Sequence, residues 1–247
     1  MSKHITRMEI DDAEHFTPEE RQAIIDAYPE HEREARTKGI PSMGSGRVFP
    51  ISEETILCDP MPIPRHWYQI IGVDFGWEHP FAATRCAWDK DSDCWYVCAS
   101  YRESKATPPI HCAAIKPWTD GWVRCAWPHD GLQHDKGSGD ELASIYKRLG
   151  LKMLEEHATH AAGGMGVEAG ITEMLERMQT ARFKIFRGQE RWLEEFRYYR
   201  REDGLIVKER DDLISSTRYA IMMRRFARQQ PSVDTWKPRP KHSGWAA

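Results

Sequence analysis

The chain has no Cys-x-x-Cys pair, no apolar run approaching the roughly 18 residues of a membrane span, and no basic-then-apolar leader at its start. It also lacks a glycine-rich loop ending in Gly-Lys-Ser/Thr. Each absence removes a class of function. Without paired cysteines a structural zinc site has no framework, and His157-x-x-His160 is an isolated fragment of one. Without a span or a leader, the expectation is a protein of the cytoplasm, neither secreted nor in contact with a membrane. Gly163-Gly164-Met165-Gly166 lacks the lysine and hydroxyl residue that would hold a nucleotide phosphate, so it reads as a flexible loop. Asp74-Phe75-Gly76 is not accompanied by the other parts of a protein kinase. Of the six cysteines, Cys86, Cys94, Cys98 and Cys125 fall in aromatic-rich, strand-like stretches, where buried free thiols are the common state.

What remains is a chain of 247 residues, 40% hydrophobic and 30% charged, enough for one domain and an appendage. A net charge of −3 hides an uneven distribution. Residues 1–64 hold 7 basic and 13 acidic side chains, whereas residues 177–228 hold 14 basic and 8 acidic. A basic C-terminal half suits a phosphate backbone, although helical faces laced with ion pairs have the same composition.

Thr17-Pro18-Glu19-Glu20 supplies an N-cap, a first-turn proline and a capping-box glutamate, predicting a helix over residues 18–27. The Gly, Ser and Pro of residues 37–46 read as a linker, extended by Pro60, Pro62 and Pro64. Expected strands then cover residues 68–74, 82–88 and 94–101, with Asp89-Lys90-Asp91-Ser92-Asp93 as a tight turn. Three strands so joined make an antiparallel meander. A helix is expected within 108–118, a strand over 122–127, a helix over 140–149 and a short strand at 151–154. Further on, residues 171–178 and 190–200 read as helices, 183–186 and 204–207 as strands, and 211–228 as a closing helix. The ten tryptophans sit mostly on expected strands or apolar helix faces, which points to core packing.

Three acidic points punctuate this pattern. Asp74 leaves the first strand, Asp130 leaves the fourth, and Asp211-Asp212 opens the last helix. An aspartate at a strand end is by itself an ordinary turn or cap residue. Their order within strand-strand-strand-helix-strand-helix, however, is that of the ribonuclease H-like fold. Ile71-Gly72-Val73-Asp74-Phe75-Gly76-Trp77-Glu78-His79-Pro80, Pro128-His129-Asp130-Gly131 and Asp211-Asp212-Leu213-Ile214-Ser215-Ser216-Thr217-Arg218-Tyr219-Ala220 together resemble the nuclease domain of large terminase subunits, the DNA-packaging motors of tailed bacteriophages. The front is similar to the connector that such proteins carry between motor and nuclease: His31 to Pro41, then Gly44-Ser45-Gly46-Arg47-Val48-Phe49-Pro50.

The resemblance implies an α/β fold whose mixed sheet, an antiparallel three-strand meander plus parallel strands, is flanked by helices. It divides the chain into residues 1–64, a helix and linker to an absent ATPase motor domain; 65–230, the nuclease domain; and 231–247, a flexible tail. It implies a metal-dependent endonuclease that cuts concatemeric viral DNA during genome packaging. Asp74 would bridge two Mg²⁺ or Mn²⁺ ions, Asp130 would hold one of them, and Asp212 or Asp211 would complete the set. Hard divalent cations prefer such carboxylate oxygens, and two ions can serve both the attacking and the leaving oxygen of a phosphodiester. Glu78, Asp135 and Asp140 stand in reserve. Lys136, Arg177, Arg182, Lys184 and Arg187 are candidate contacts to double-stranded DNA. The implied partners are the ATPase domain, a small terminase subunit and a portal protein. Two other readings share the leading aspartate or the fold: an actin-like or sugar-kinase-like phosphotransferase, and a non-catalytic docking module for the motor.

Overall fold

The computed structural model describes residues 9–13, 15–28, 33, 36–39, 46–133 and 140–232. Strand β2 (Tyr68–Asp74) is the axis of the fold, with five consecutive buried residues, the pattern of a strand covered on both faces. It pairs antiparallel with β3 (Phe81–Asp89) from Tyr68↔Trp88 to Asp74↔Ala82, and β3 pairs antiparallel with β4 (Cys94–Glu103). The turn between β3 and β4 is built by Asp89, whose carboxylate accepts from the Asp91 amide and the Ser92 hydroxyl.

Around this meander the pairing becomes parallel. On one side β5 (Arg124–Ala126) lies beside β2 and β6 (Lys152–Met153) beside β5. On the other, β7 (Phe183–Phe186) lies beside β4 and β1 (Leu57–Cys58) beside β7. The order is β1-β7-β4-β3-β2-β5-β6, and β10 (Arg228–Gln229) pairs antiparallel with Gln69 and Tyr68 at the start of β2. The mixed sheet is thus the expected one. A separate hairpin, β8 (Arg201–Glu202) with β9 (Leu205–Ile206), stands apart from it.

Alternation along the strands sorts the helices onto two faces. Phe81 stacks on His111 of α3 (Pro108–Ile115) and on Tyr146 of α4 (Leu142–Arg148), so that face of β3 carries α3 and α4. Thr84, three residues on and therefore on the opposite face, bonds Ser216 of α7 (Asp212–Met222). Beside α7 lie α5 (Val167–Gln179) and α6 (Glu190–Tyr198). Every residue of α7 except Tyr219 is buried, including its Ser-Ser-Thr-Arg run, which explains why periodicity alone describes this helix poorly.

The N-terminal helix α1 (Pro18–Ala27) has the expected bounds and capping box. Two other boundaries differ from expectation. Val48, Phe49 and Ile56 are buried in the main core, Ile56 closes the short helix α2 (Glu53–Ile56), and β1 extends the sheet, so the folded body reaches well back of residue 65. A two-residue strand is too short to show alternation in sequence. The closing helix ends at Met222 rather than near residue 228. Arg224 and Arg225 turn back to donate to the carbonyls of Ile221 and Met222, satisfying the helix end and releasing the chain into β10.

Candidate metal centre

Small residues decide how closely the last helix approaches the sheet. A Cβ on Gly72 would stand 1.8 Å from the carbonyl oxygen of Ser216, so α7 rests directly on the backbone of β2 and only glycine fits there. Opposite Gly72 in the ladder is Thr84, which bonds Ser216, and Ala220 is the next side chain in contact. Since β10 follows α7 and pairs with the first residues of β2, α7 runs from the Asp74 end of that strand toward its start. From this contact Asp212 lies four residues back along the helix, about 6 Å, and Asp74 lies two residues on along the strand, about 6.6 Å. The two displacements point the same way, and Asp74, Gly72 and Thr84 share the α7 face of the sheet. Asp74 and the Asp211-Asp212 pair are therefore carried to one end.

Asp130 arrives at the same end by a different route. β5 is parallel to β2 with Gly72↔Ala126 in register, so its exit also lies beside the exit of β2. The chain leaves through Trp127-Pro128 into a 3-10 turn, His129–Leu132. Gly131 is buried there because a Cβ would meet the Trp127 ring at 2.4 Å and the Phe75 ring at 2.8 Å. Asp130 itself is exposed.

Electrostatics register the gathering. Burial, then the charges of Asp212 and Asp211, push the Asp74 carboxyl up to about 8; Asp130 adds to the rise and the Arg218 guanidinium opposes it. Burial also raises Asp211 and Asp212, and Asp212 is raised further by Asp211. Among the described residues no group of three His, Cys, Asp or Glu side chains is placed so that it could hold a metal ion. What the end of the sheet offers is an excess of hard carboxylate oxygens, from Asp74, Asp130, Asp211 and Asp212, sharing one another's field. That donor chemistry fits a divalent cation of the magnesium type.

One buried acid next to the site escaped the sequence reading. Glu195 of α6 is fully buried, pairs with Arg102 at 2.5 Å, and accepts from the backbone amides of Leu213 and Ile214 at 2.7 and 3.1 Å. It caps the helix whose first residues are the acid pair, where Asp211 provides no side-chain cap of its own. Burial pushes Glu195 up to about 8 against the pull of Arg102, while three donors on its two oxygens suit the anion. The signal was present: Glu195 stands at helical spacing with Trp192, Phe196 and Tyr199, on the apolar stripe.

The expected basic residues lie elsewhere. Arg177, with a side chain only 6% exposed, pairs with Asp93 and Glu173, and Arg182 pairs with Asp93 and Glu176. Asp93 sits in the β3–β4 turn, at the end of the sheet opposite Asp74. Lys184 donates to the Thr55 carbonyl and Arg187 pairs with Asp59 and Glu54, both across the β1–β7 edge. None of these four is brought to the acids, and each has a partner within the protein. Lys136 and the reserve acid Asp135 lie outside the described residues. The other reserve acids, Glu78 and Asp140, are paired with Lys105 and Arg148.

Comparison with known proteins agrees with this architecture. Residues 71–224 match the terminase RNaseH-like domain family, and residues 1–56 match the terminase large subunit, T4likevirus-type, N-terminal family. The large terminase subunit of Salmonella phage P22 is 48% identical over 241 residues, covering 97% of this chain and 48% of that protein. The chain thus spans about half the length of the curated relatives it matches. The solved nuclease domain of the P22 large terminase superposes with a TM-score of 0.71 at 47% identity, covering 76% of this chain and 97% of that one. The large terminase nuclease of thermophilic phage G20c, solved with bound magnesium, shares the fold at 16% identity and a TM-score of 0.51, covering 72% of this chain and 97% of that one. On the family match over more than half of its length, this chain belongs to the terminase RNaseH-like domain family, the nuclease part of large terminase subunits.

Proposed function

We propose that this chain is a divalent-metal-dependent endonuclease that cuts concatemeric viral DNA during genome packaging, with Asp74, Asp130, Asp212 and Asp211 as its metal-holding carboxylates. The observation that carries the reading is the contact of Ser216 on Gly72, which delivers the acid pair of α7 to the end of β2 where Asp74 emerges. Asp74 is the carboxylate that feels the charges of Asp212, Asp211 and Asp130, which supports giving it the central role. Asp211 adds charge beside Asp212. These carboxylates would hold ions of the Mg²⁺ or Mn²⁺ class, whose Lewis acidity would lower the pKa of water and offset charge on a departing 3′ oxygen. The residues themselves orient this site: Glu195 anchors the helix end, Arg218 offsets part of the carboxylate charge, and Gly131 lets the chain before it pack on Trp127 and Phe75. Bound magnesium in the G20c nuclease supports the choice of cation class.

As part of a packaging enzyme in the host cytoplasm, the chain would act with an ATPase motor domain, a small subunit that selects the start site, and the portal. The test is cleavage of supercoiled plasmid with Mn²⁺ or Mg²⁺, alone and fused to its motor half. Nicked and linear products are expected. Their absence from both forms, or their persistence in Asp74→Asn and Asp212→Asn variants, would refute the assignment.

A further inference from the structure

A groove of about 1010 Å³ opens beside Asp130 on the α3–α4 face, walled by Phe75, Trp77, Pro108, Ile145 and Tyr146. Arg148, held by Asp140 at 2.5 Å, stands at its α4 side. Resting on the nuclease reading above, we propose that this groove receives an unstacked base of the DNA strand being cut, with Trp77 as the surface on which the base stacks. Trp77 is then a positioning residue for the neighbouring phosphate.

Trp77 is the most exposed tryptophan among the described residues. Trp67, Trp95, Trp127 and Trp192 are buried and Trp88, Trp118 and Trp122 half-buried, whereas Trp77 is 53% exposed although it follows Asp74 by only three residues. Its presentation is fixed by its loop. The Lys105 amide donates to the Trp77 carbonyl at 3.0 Å, and a Cβ on the adjacent Gly76 would stand 2.2 Å from the His79 carbonyl oxygen, so the loop closes tightly on itself. The indole joins Phe75, Pro108, Ile145 and Tyr146 in one concave apolar surface, the kind that marks a binding site.

The occupant follows from continuity. Asp130 is both a carboxylate of the cutting site and part of the groove wall, so whatever molecule offers its scissile bond to the acids has its next unit at the groove mouth. For a DNA strand that unit is a flat, apolar-faced base on an anionic backbone. Aromatic walls accept any base by its π-face without reading its edge, which suits an enzyme with little sequence preference. Taking a base out of its stack is least costly at gaps, frayed ends and mismatches. The chain should therefore favour such sites over perfect duplex.

The experiment compares wild type, Trp77→Ala and Ile145→Trp, the last filling the groove from α4. Cleavage with Mn²⁺ is measured on a perfect and a gapped duplex, Mn²⁺ affinity by calorimetry, and folding by thermal melting. In EDTA, fluorescence of a single-stranded oligonucleotide containing 2-aminopurine reports stacking. Trp77→Ala should raise KM on the gapped substrate about tenfold, the scale of a lost stacking partner. It should also abolish the preference for the gap and the quenching, with Mn²⁺ affinity unchanged; Ile145→Trp should do the same in a folded protein. Wild-type cleavage with equal KM, equal gap preference and equal quenching in the variants overturns the groove assignment while leaving the nuclease reading intact, and gives the groove to another ligand. If wild type, alone and fused to its motor half, cuts neither substrate, the nuclease reading itself fails.

Discussion

At the Asp74 end of the sheet carboxylates face carboxylates, whereas at the opposite end the carboxylates are interleaved with guanidinium groups. There Asp93 takes Arg177 and Arg182, Arg177 also takes Glu173, and Glu173 takes Arg224. Burial alone would raise Asp93, but the Trp88 indole N–H and the two arginines outweigh it and hold its carboxyl below the usual range. Asp74 has been pushed the other way, to about 8. Both are aspartates where strands meet loops in one sheet, so their location does not separate them. What separates them is company: compensated charge secures a fold, and uncompensated like charge is retained where a ligand or a reaction needs it.

The largest expected effects come from removing the central member of each end. Asp74→Asn should lower metal-dependent cleavage well beyond the roughly 10- to 100-fold that losing a mere partner of a metal ligand costs. It should at the same time raise thermal stability at about pH 8, because a buried like charge is gone. Arg177→Ala should do the reverse. It takes one cation from Asp93 and one from Glu173, which keep Arg182 and Arg224, and should cost about 1–3 kcal/mol in denaturant melts. Cleavage per folded molecule should be unchanged. If Arg177→Ala instead weakens DNA affinity with stability intact, the two ends are not divided as described.

The comparison also shows what could be read in advance. The meander and the first helix were legible because long strands, a polar turn and a capping box leave local marks, as at residues 68–74, 89–93 and 17–20; the parallel additions came from the family resemblance. β1 and β10 left none, since two residues have no period. The pairing of the basic residues was hidden for a different reason. Arg177 and Arg182 read as a phosphate-facing cluster only while their partner Asp93, 84 residues before Arg177, is counted as a turn residue. Long-range pairing cannot be seen in composition. Glu195 was hidden likewise, as its two amide partners lie 18 and 19 residues away.

Intermediate effects should come from the supports of the acid end. Gly72→Ala forces α7 off the Ser216 contact and should cost about 1–3 kcal/mol or more, the range for overpacking. Cleavage should fall further than stability, since the displaced helix carries Asp212. Glu195→Gln keeps the shape but exchanges one acceptor oxygen for a donor that must face either Arg102 or the helix amides. The expected loss in Mn²⁺ affinity or cleavage is about 10- to 100-fold. Restoration of both by Glu195→Asp, or an effect confined to melting temperature, would show the cap to be structural only.

The smallest effect, and the one that reads both ends at once, is the dependence of stability on pH in EDTA. Asp74 titrates near about 8 in the folded chain and near 3.8 when unfolded. Between those values the folded state holds a proton that the unfolded state has released, so stability present at low pH is lost as pH rises through the folded value. Asp211, Asp212 and Glu195, all raised, add slope of the same sign. Asp93 is lowered, so its contribution is present above the ordinary carboxylate value and is lost as pH falls through the folded one. Melting temperature should therefore decline toward both extremes, for opposite reasons at opposite ends of the sheet. Asp74→Asn should flatten the alkaline limb alone, and Asp93→Asn the acid limb alone. Mg²⁺ should restore stability most at high pH, where it no longer competes with protons for the carboxylates. A wild-type curve whose alkaline limb survives Asp74→Asn unchanged would mean that the carboxylates do not share one field, and the division between the two ends would fall.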